Sequence, residues 1–276
     1  MTWTLTGFAD EIDDDLDVQI ATLQAAKLRY LELRSAWGTN VADFSASQLH
    51  RLEESLRDAG IGVSAIGSPI GKIPVGAPLD PELDRLRRVA GTARQLQTQI
   101  VRVFSFFIPE AEDPGRFRQQ VIDRMGALAE VASQEGVVLA HENETGIYGD
   151  LPERCQDLLV SVGSPALRAT FDAANFVQCG VRPYSDAYEL IRPHLLYLQV
   201  KDASLATGEV LPAGQGDGQI LQTLAALRDS GFDGFLSLEP HLPADGRFGH
   251  LAQPERFRLT VSALEDLLRE LSAPWA

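Results

Sequence analysis

The chain has 276 residues, 45% of them hydrophobic and 7% aromatic, with 24 Lys and Arg against 39 Asp and Glu, a formal charge of −15. That size and apolar content suffice for one large buried core, while the acidic excess repels the phosphates of nucleic acid and the anionic face of a membrane. The longest apolar stretch, 100–109, is too short to span a bilayer and carries Arg102.

From the N-terminus, a β-branched run predicts a strand over 3–8. Asp10, Glu11, Asp13, Asp14 and Asp15 follow it, too early for the basic-then-apolar pattern of a secretory leader. An amphipathic helix is expected over 15–26, then a strand over 29–33. The helix over 47–59 places Leu49, Leu52, Leu56 and Ala59 at spacings of three or four, with Ser47 at its N-cap and Gly60 at its C-cap. A strand over 62–66 precedes a helix over 81–96 that Asp80 and Pro81 open, and a strand over 100–104 precedes a helix over 116–134 that Asp113 and Pro114 open. Gly136 closes the latter, and strands follow over 137–140, 167–171 and 195–200. A helix over 218–229, Gly231 and a strand over 234–238 complete the series. Cys155 and Cys179 make no disulfide framework and no Cys-x-x-Cys, so a cytoplasmic protein is expected.

Eight strands alternating with helices, in units of roughly 30 to 35 residues, match a single (β/α)₈ TIM barrel over 1–276. A doubly wound sheet would carry a Gly-rich phosphate loop after its first strand. The residues there are Gly7-Phe8-Ala9-Asp10-Glu11.

In such a barrel the chemistry belongs at the C-terminal strand ends. Strand 5 closes in His141-Glu142-Asn143-Glu144, strand 6 in Asp172-Ala173-Ala174-Asn175, strand 7 in Gln199-Val200-Lys201-Asp202 and strand 8 in Glu239-Pro240-His241. A charged group closing an apolar strand cannot face a dry core alone. Glu142, Asp172, Gln199 and Glu239 would place three carboxylates and one amide oxygen on four successive strands, a set that suits a hard divalent ion. The plainer alternative pairs these acids with Arg34, Arg102 or Lys201.

These residues resemble the xylose isomerase-like TIM barrels, the sugar phosphate isomerase/epimerase group that includes hydroxypyruvate isomerases, ketose 3-epimerases, inosose dehydratases and the endonuclease IV type of AP endonuclease. The likeness runs from Phe8-Ala9-Asp10-Glu11-Ile12 through Tyr30-Leu31-Glu32-Leu33-Arg34 to Leu238-Glu239-Pro240-His241. It is strongest at His141-Glu142-Asn143, Phe171-Asp172-Ala173-Ala174-Asn175-Phe176 and Val200-Lys201-Asp202-Ala203. The resemblance implies that Glu142, Asp172 and Glu239 are metal ligands. Gln199 falls where many members have His, but hydroxypyruvate isomerase-like members use Gln there, which keeps it as the fourth ligand. An all-oxygen site favours Mn²⁺ or Mg²⁺ over Zn²⁺. The DNA-repair branch needs several His from different strands, and the five here are His50, His141, His194, His241 and His250.

The resemblance further implies a metal-dependent isomerase or epimerase of a small sugar or hydroxy-keto compound. Glu142 and Glu239 would transfer the proton across a metal-stabilised enediolate. Asn175, Lys201, His241 and Arg102 are the candidate substrate-binding groups. Glu32 and Arg34 read as a structural ion pair, His141 as packed toward the helices, and His50, His194 and His250 as surface or helix residues. Loops 67–72 and 212–218 are candidate lids. The second is Gly-rich beside a helix start and could cradle a phosphate, but its own Asp217 weakens that, so an unphosphorylated substrate is favoured. An inosose dehydratase-like lyase and a non-catalytic sugar- or metal-binding barrel are the alternatives. A homo-oligomer is possible, since many such barrels associate.

Overall fold

A computed structural model of the chain describes residues 2–243 and 245–276. Eight parallel strands form the barrel: β1 Thr4–Gly7, β2 Tyr30–Leu33, β3 Gly62–Gly67, β4 Ile100–Val103, β5 Val138–Glu142, β6 Leu167–Asp172, β7 Leu195–Val200 and β8 Phe235–Leu238. The sheet runs β1-β8-β7-β6-β5-β4-β3-β2, and a single bridge between Phe8 and Glu32 joins its two ends. A helix follows each strand: α1 Leu16–Ala25, α2 Ala46–Ala59, α3 Asp80–Gln95, α4 Arg118–Glu135, α5 Pro152–Val162, α6 Ala173–Gln178, α7 Ile220–Ser230 and α8 Gln253–Glu270. This is the (β/α)₈ barrel that the alternation predicts.

Local chemistry sets the helix boundaries. Gly60, Gly136 and Gly231 end α2, α4 and α7 in the left-handed region that only glycine enters freely. Ser45, rather than Ser47, caps α2, because Gln48 lies three residues on and closes a reciprocal capping box with it. Asp80 lies inside the first turn of α3, whose cap is Leu79. Asp113 accepts from the Gly115 amide to cap a 3₁₀ turn over Pro114–Phe117, and α4 begins only after it.

The two faces of the strands differ in chemistry. Leu5, Leu31, Leu33, Val101, Val103 and Leu139 are buried in the apolar core cluster, each such side chain contributing about 1.5–3 kcal/mol on burial. Polar side chains from several strands meet one another instead: Thr6 and Ser64 hydroxyls lie 2.9 Å apart, Ser64 and Tyr197 2.8 Å apart, and Ser237 donates to Glu32 at 2.6 Å. These groups come from β1, β3, β7, β8 and β2, and they are buried as well as paired, as the cost of an unsatisfied polar group requires. A polar, hydrogen-bonded interior therefore underlies the strand ends.

Candidate metal and proton-transfer centre

Glu142 and Asp172 are the last residues of β5 and β6, Gln199 is the penultimate residue of β7, and Glu239 directly follows β8. All four are at most 3% exposed. One carboxylate oxygen each from Glu142, Asp172 and Glu239 lies within 4.8 Å of the other two. The barrel thus brings together the three predicted acids, with the Gln199 amide 3.0 and 3.1 Å from the two Glu142 oxygens.

Neighbouring loops hold these groups still. Asn143 clamps β5 to β6, donating to the Asp172 carbonyl at 2.8 Å and accepting from the Asp172 amide at 2.9 Å. Asp172 Oδ1 caps α6 by accepting from the Asn175 amide at 2.9 Å. Asn175 in turn donates its side-chain amide to Glu142 Oε1 at 3.1 Å. Arg102 donates to Glu142 Oε2 at 2.8 Å and stacks over Phe104, 4.6 Å from the ring centre. Lys201 Nζ lies 2.6 Å from Glu239 Oε2 and 2.9 Å from Asp172 Oδ2. The latter contact is off-axis, so Asp172 Oδ2 has no true hydrogen-bond partner although it is fully buried.

Burial and pairing push the carboxylates apart in acidity. Burial raises Asp172 to about 8 despite Lys201, and it raises Glu142 against the pull of Arg102. Burial also opposes the charge of Glu239, but Lys201, His241 and Arg34 outweigh it and hold that carboxyl well below the usual range. Burial lifts Glu32 to about 7, with Arg102 and Ser237 opposing. Two carboxyls with opposite shifts in one site suit paired acid and base roles.

The donor set fits a divalent cation. Four buried carboxyls, Glu32, Glu142, Asp172 and Glu239, crowd around two buried cations, Arg102 and Lys201. Burial raises three of them, Glu32, Glu142 and Asp172, against ionisation; a divalent cation would favour their charged forms. Asp172 Oδ2, in the middle of the cluster, has the Lys201 ammonium at 2.9 Å but no aligned hydrogen-bond donor. The Gln199 amide lies between two acids, one end 3.0 and 3.1 Å from the Glu142 oxygens and the other 3.4 Å from Glu32 Oε1. With no ion its nitrogen is best satisfied toward Glu142, and ligation through its oxygen would need the opposite orientation.

The cavity above these groups holds about 240 Å³, and Arg34, Lys72, Glu144, Asn175 and His241 are among its lining residues. It is smaller than the roughly 300–1,000 Å³ of pockets for drug-sized ligands. Arg102, Asn175, Lys201 and His241, the predicted substrate-binding residues, all line it. His241 is held over the rim by Glu11, which accepts from its backbone amide at 2.7 Å and from Nε2 at 2.5 Å. Glu11 and Asp10, unassigned from the sequence, also pair with Arg34 at 3.1 and 2.7 Å.

One expectation is corrected, and the weak phosphate-cradle reading of the Gly-rich loop falls away. Arg34 does not pair with Glu32: it reaches Asp10, Glu11 and Glu239, while Glu32 accepts from Ser237 and lies beside the Gln199 amide. The Gly-rich loop is also unavailable as a phosphate cradle. The buried Asp202 carboxylate already accepts from the amides of Gly214, Gly216 and Gly218 at 2.9, 3.0 and 2.7 Å. An acid directly after Lys201 was the only sequence signal for that plug. His141 is buried away from solvent, while His50 and His250 are exposed and His194 is half-buried.

Residues 20–266 match the family described as xylose isomerase-like TIM barrel. Among curated relatives, 2-epi-5-epi-valiolone 7-phosphate 2-epimerase of an Actinoplanes species is 32% identical over 177 residues, covering 63% of this chain and 62% of that protein. The 3-dehydroshikimate dehydratase of Bacillus anthracis is 21% identical over 173 residues, 62% of this chain and 61% of the relative. The chain thus matches about three fifths of the length of each. Among solved structures, a D-tagatose 3-epimerase-like protein superposes with a TM-score of 0.79 at 16% identity, over 98% of both chains. A Mycobacterium smegmatis barrel in complex with magnesium (TM-score 0.69, 18% identity, 97% of both chains) and the IOLI protein with a zinc atom (0.75, 15%, 97% and 99%) share the fold.

Proposed function

Since the chain belongs to the xylose isomerase-like TIM-barrel family, we propose that it is a divalent-metal-dependent epimerase or isomerase of a small sugar or hydroxy-keto compound. The observation that carries this reading is the ring of buried Glu142, Asp172 and Glu239 oxygens, all within 4.8 Å of one another. The epimerase relatives and neighbours support the class of reaction.

Glu142, Asp172, Gln199 and Glu239 would hold the ion, and its all-oxygen shell favours Mn²⁺ or Mg²⁺. Such an ion supplies polarisation of a substrate carbonyl and offsets the charge left when the adjacent carbon loses its proton. Glu239, kept ionised by Lys201, His241 and Arg34, is the group ready to take that proton. Glu142, its acidity weakened by burial, is the group suited to deliver one from another side of the cavity. Lys201 and Arg102 hold the two carboxylates in place, and Asn175 and His241 present donors to substrate hydroxyls. The mouth's Arg34, Lys72, Arg102 and Lys201 are each already paired with a carboxylate. That pairing favours an unphosphorylated substrate, although one relative acts on a phosphate ester. Free Cys155 and Cys179 suit the reducing cytoplasm.

The test is a screen of ketoses, their phosphates, inososes and hydroxypyruvate with Mn²⁺ in D₂O, followed by NMR. We expect exchange of one substrate C–H with solvent, lost in Glu142→Gln and Glu239→Gln while both variants stay folded; full exchange in both would remove these residues from the chemistry. The dehydratase relative favours one second reading, in which the same deprotonated compound expels a β-hydroxyl as water. Loss of substrate mass by one water identifies that outcome. Ligands that bind but never turn over would point to a non-catalytic barrel.

A further inference from the structure

Glu32 lies in the middle of an apolar strand, 1% exposed, and the reaction described above does not use it. Its two oxygens have separate partners. Oε2 accepts from the Ser237 hydroxyl at 2.6 Å, and Oε1 lies 3.4 Å from the near end of the Gln199 amide, within reach of its nitrogen when that end is the NH₂. Gln199 is thus the one candidate ligand whose donor atom depends on which way a planar amide is turned.

The two orientations are not equivalent. With the nitrogen toward Glu32, the amide oxygen faces Glu142 and is free to ligate. Turned by half a revolution, the nitrogen donates to both Glu142 oxygens at 3.0 and 3.1 Å. The amide oxygen then faces Glu32, and when that carboxyl is ionised two acceptors oppose each other. The second orientation would remove a ligand and occupy both oxygens of another. We propose that Glu32 is a positioning residue that orients the Gln199 amide, keeping its oxygen on the ligand centre and its nitrogen away from Glu142. Ser237 fixes Glu32 for this task, so the arrangement runs Ser237, Glu32, Gln199, ligand centre, drawn from β8, β2 and β7. A partner that fixes the orientation of a ligating side chain in this way typically governs metal affinity by about 10–100-fold.

This inference rests on the reading that Gln199 and the three acids hold a divalent ion. Its test is the dissociation constant of Mn²⁺ for the full chain, measured by electron paramagnetic resonance, with thermal melting of the metal-free proteins as the check of folding. Glu32→Leu, which removes the acceptor, is expected to weaken Mn²⁺ at least about tenfold. Glu32→Gln, whose side-chain oxygen can still accept from Gln199, is expected to stay within about threefold. In a Gln199→Glu background the ligand has two equivalent oxygens and no orientation to choose. There Glu32→Leu should not weaken Mn²⁺ binding at all. Equal weakening in both backgrounds, or wild-type affinity in the Glu32→Leu single variant, overturns the proposal. If Glu32→Leu does not fold, Ser237→Ala decides, with a severalfold loss expected and unchanged affinity contrary to the proposal. A wild-type protein that binds no Mn²⁺ overturns the metal reading and this inference together, and so is distinguishable from failure of the inference alone.

Discussion

His141 precedes Glu142 on β5, and alternation turns it away from the mouth toward Gly149, Cys155 and Phe176. It is 1% exposed, its Nε2 has no hydrogen-bond partner, and burial alone lowers its pKa to about 3. A histidine whose folded pKa lies below its unfolded value of about 6.5 contributes full stability above that value and loses it as pH falls. Between pH 7 and pH 4.5 the loss should be about 2–3 kcal/mol, and urea titrations of wild type and His141→Gln at the two pH values measure it. The glutamine variant should lose less on acidification; equal losses would show that His141 is not the source. Its neighbour illustrates what single residues disclose. Glu142, Asp172, Gln199 and Glu239 were legible because each closes an apolar run, where an unpaired polar group needs a reason. The partners of Glu32 were not. Arg34 stands two residues along the same strand and so looked like its mate, whereas the actual donor, Ser237, is 205 residues away. Alternation tells which face a side chain takes, but only closure of the barrel decides what it meets there.

Elements were most legible where a local rule acts alone. The glycine ends of α2, α4 and α7 needed no tertiary information, and the strands matched within a residue or two. The short α6 was unreadable because its cap is Asp172, a residue claimed at the same time by the site. The loop after β7 was legible only in part, for a related reason. Its glycine amides do form an anion-binding nest, but the anion is Asp202 of the same chain. A Cβ on Gly218 would lie 2.6 Å from Asp202 Oδ1, so the carboxylate would have to leave its amide donors. Gly218→Ala should therefore cost about 2–4 kcal/mol. Gly126→Ala in α4, where an added Cβ meets nothing within 4 Å, should be neutral or stabilising by up to about 1 kcal/mol. Denaturant midpoints of the two variants test the contrast, which equal midpoints would refute.

Across the whole molecule, the formal charge of −15 has two parts with different consequences. Most of it is solvated, but Glu32, Glu142, Asp172 and Glu239 form a buried set around Arg102 and Lys201. An ion bound there stabilises the folded state by mass action, about 2.7 kcal/mol at a concentration 100 times its dissociation constant. For a chain of this size that is a rise of roughly 5–10 °C in melting temperature. Scanning calorimetry with Mn²⁺ and with a chelator should show it in the wild type and not in Asp172→Asn; a rise of the same size in the variant would place the ion elsewhere. The bridge between Phe8 and Glu32 bears on the barrel in another way. Every other pair of neighbouring strands shares at least two register positions, and this pair shares one. The backbone of Glu32 is half of that join, while its side chain lies in the polar floor of the mouth, so one residue both closes the barrel and helps build the site inside it.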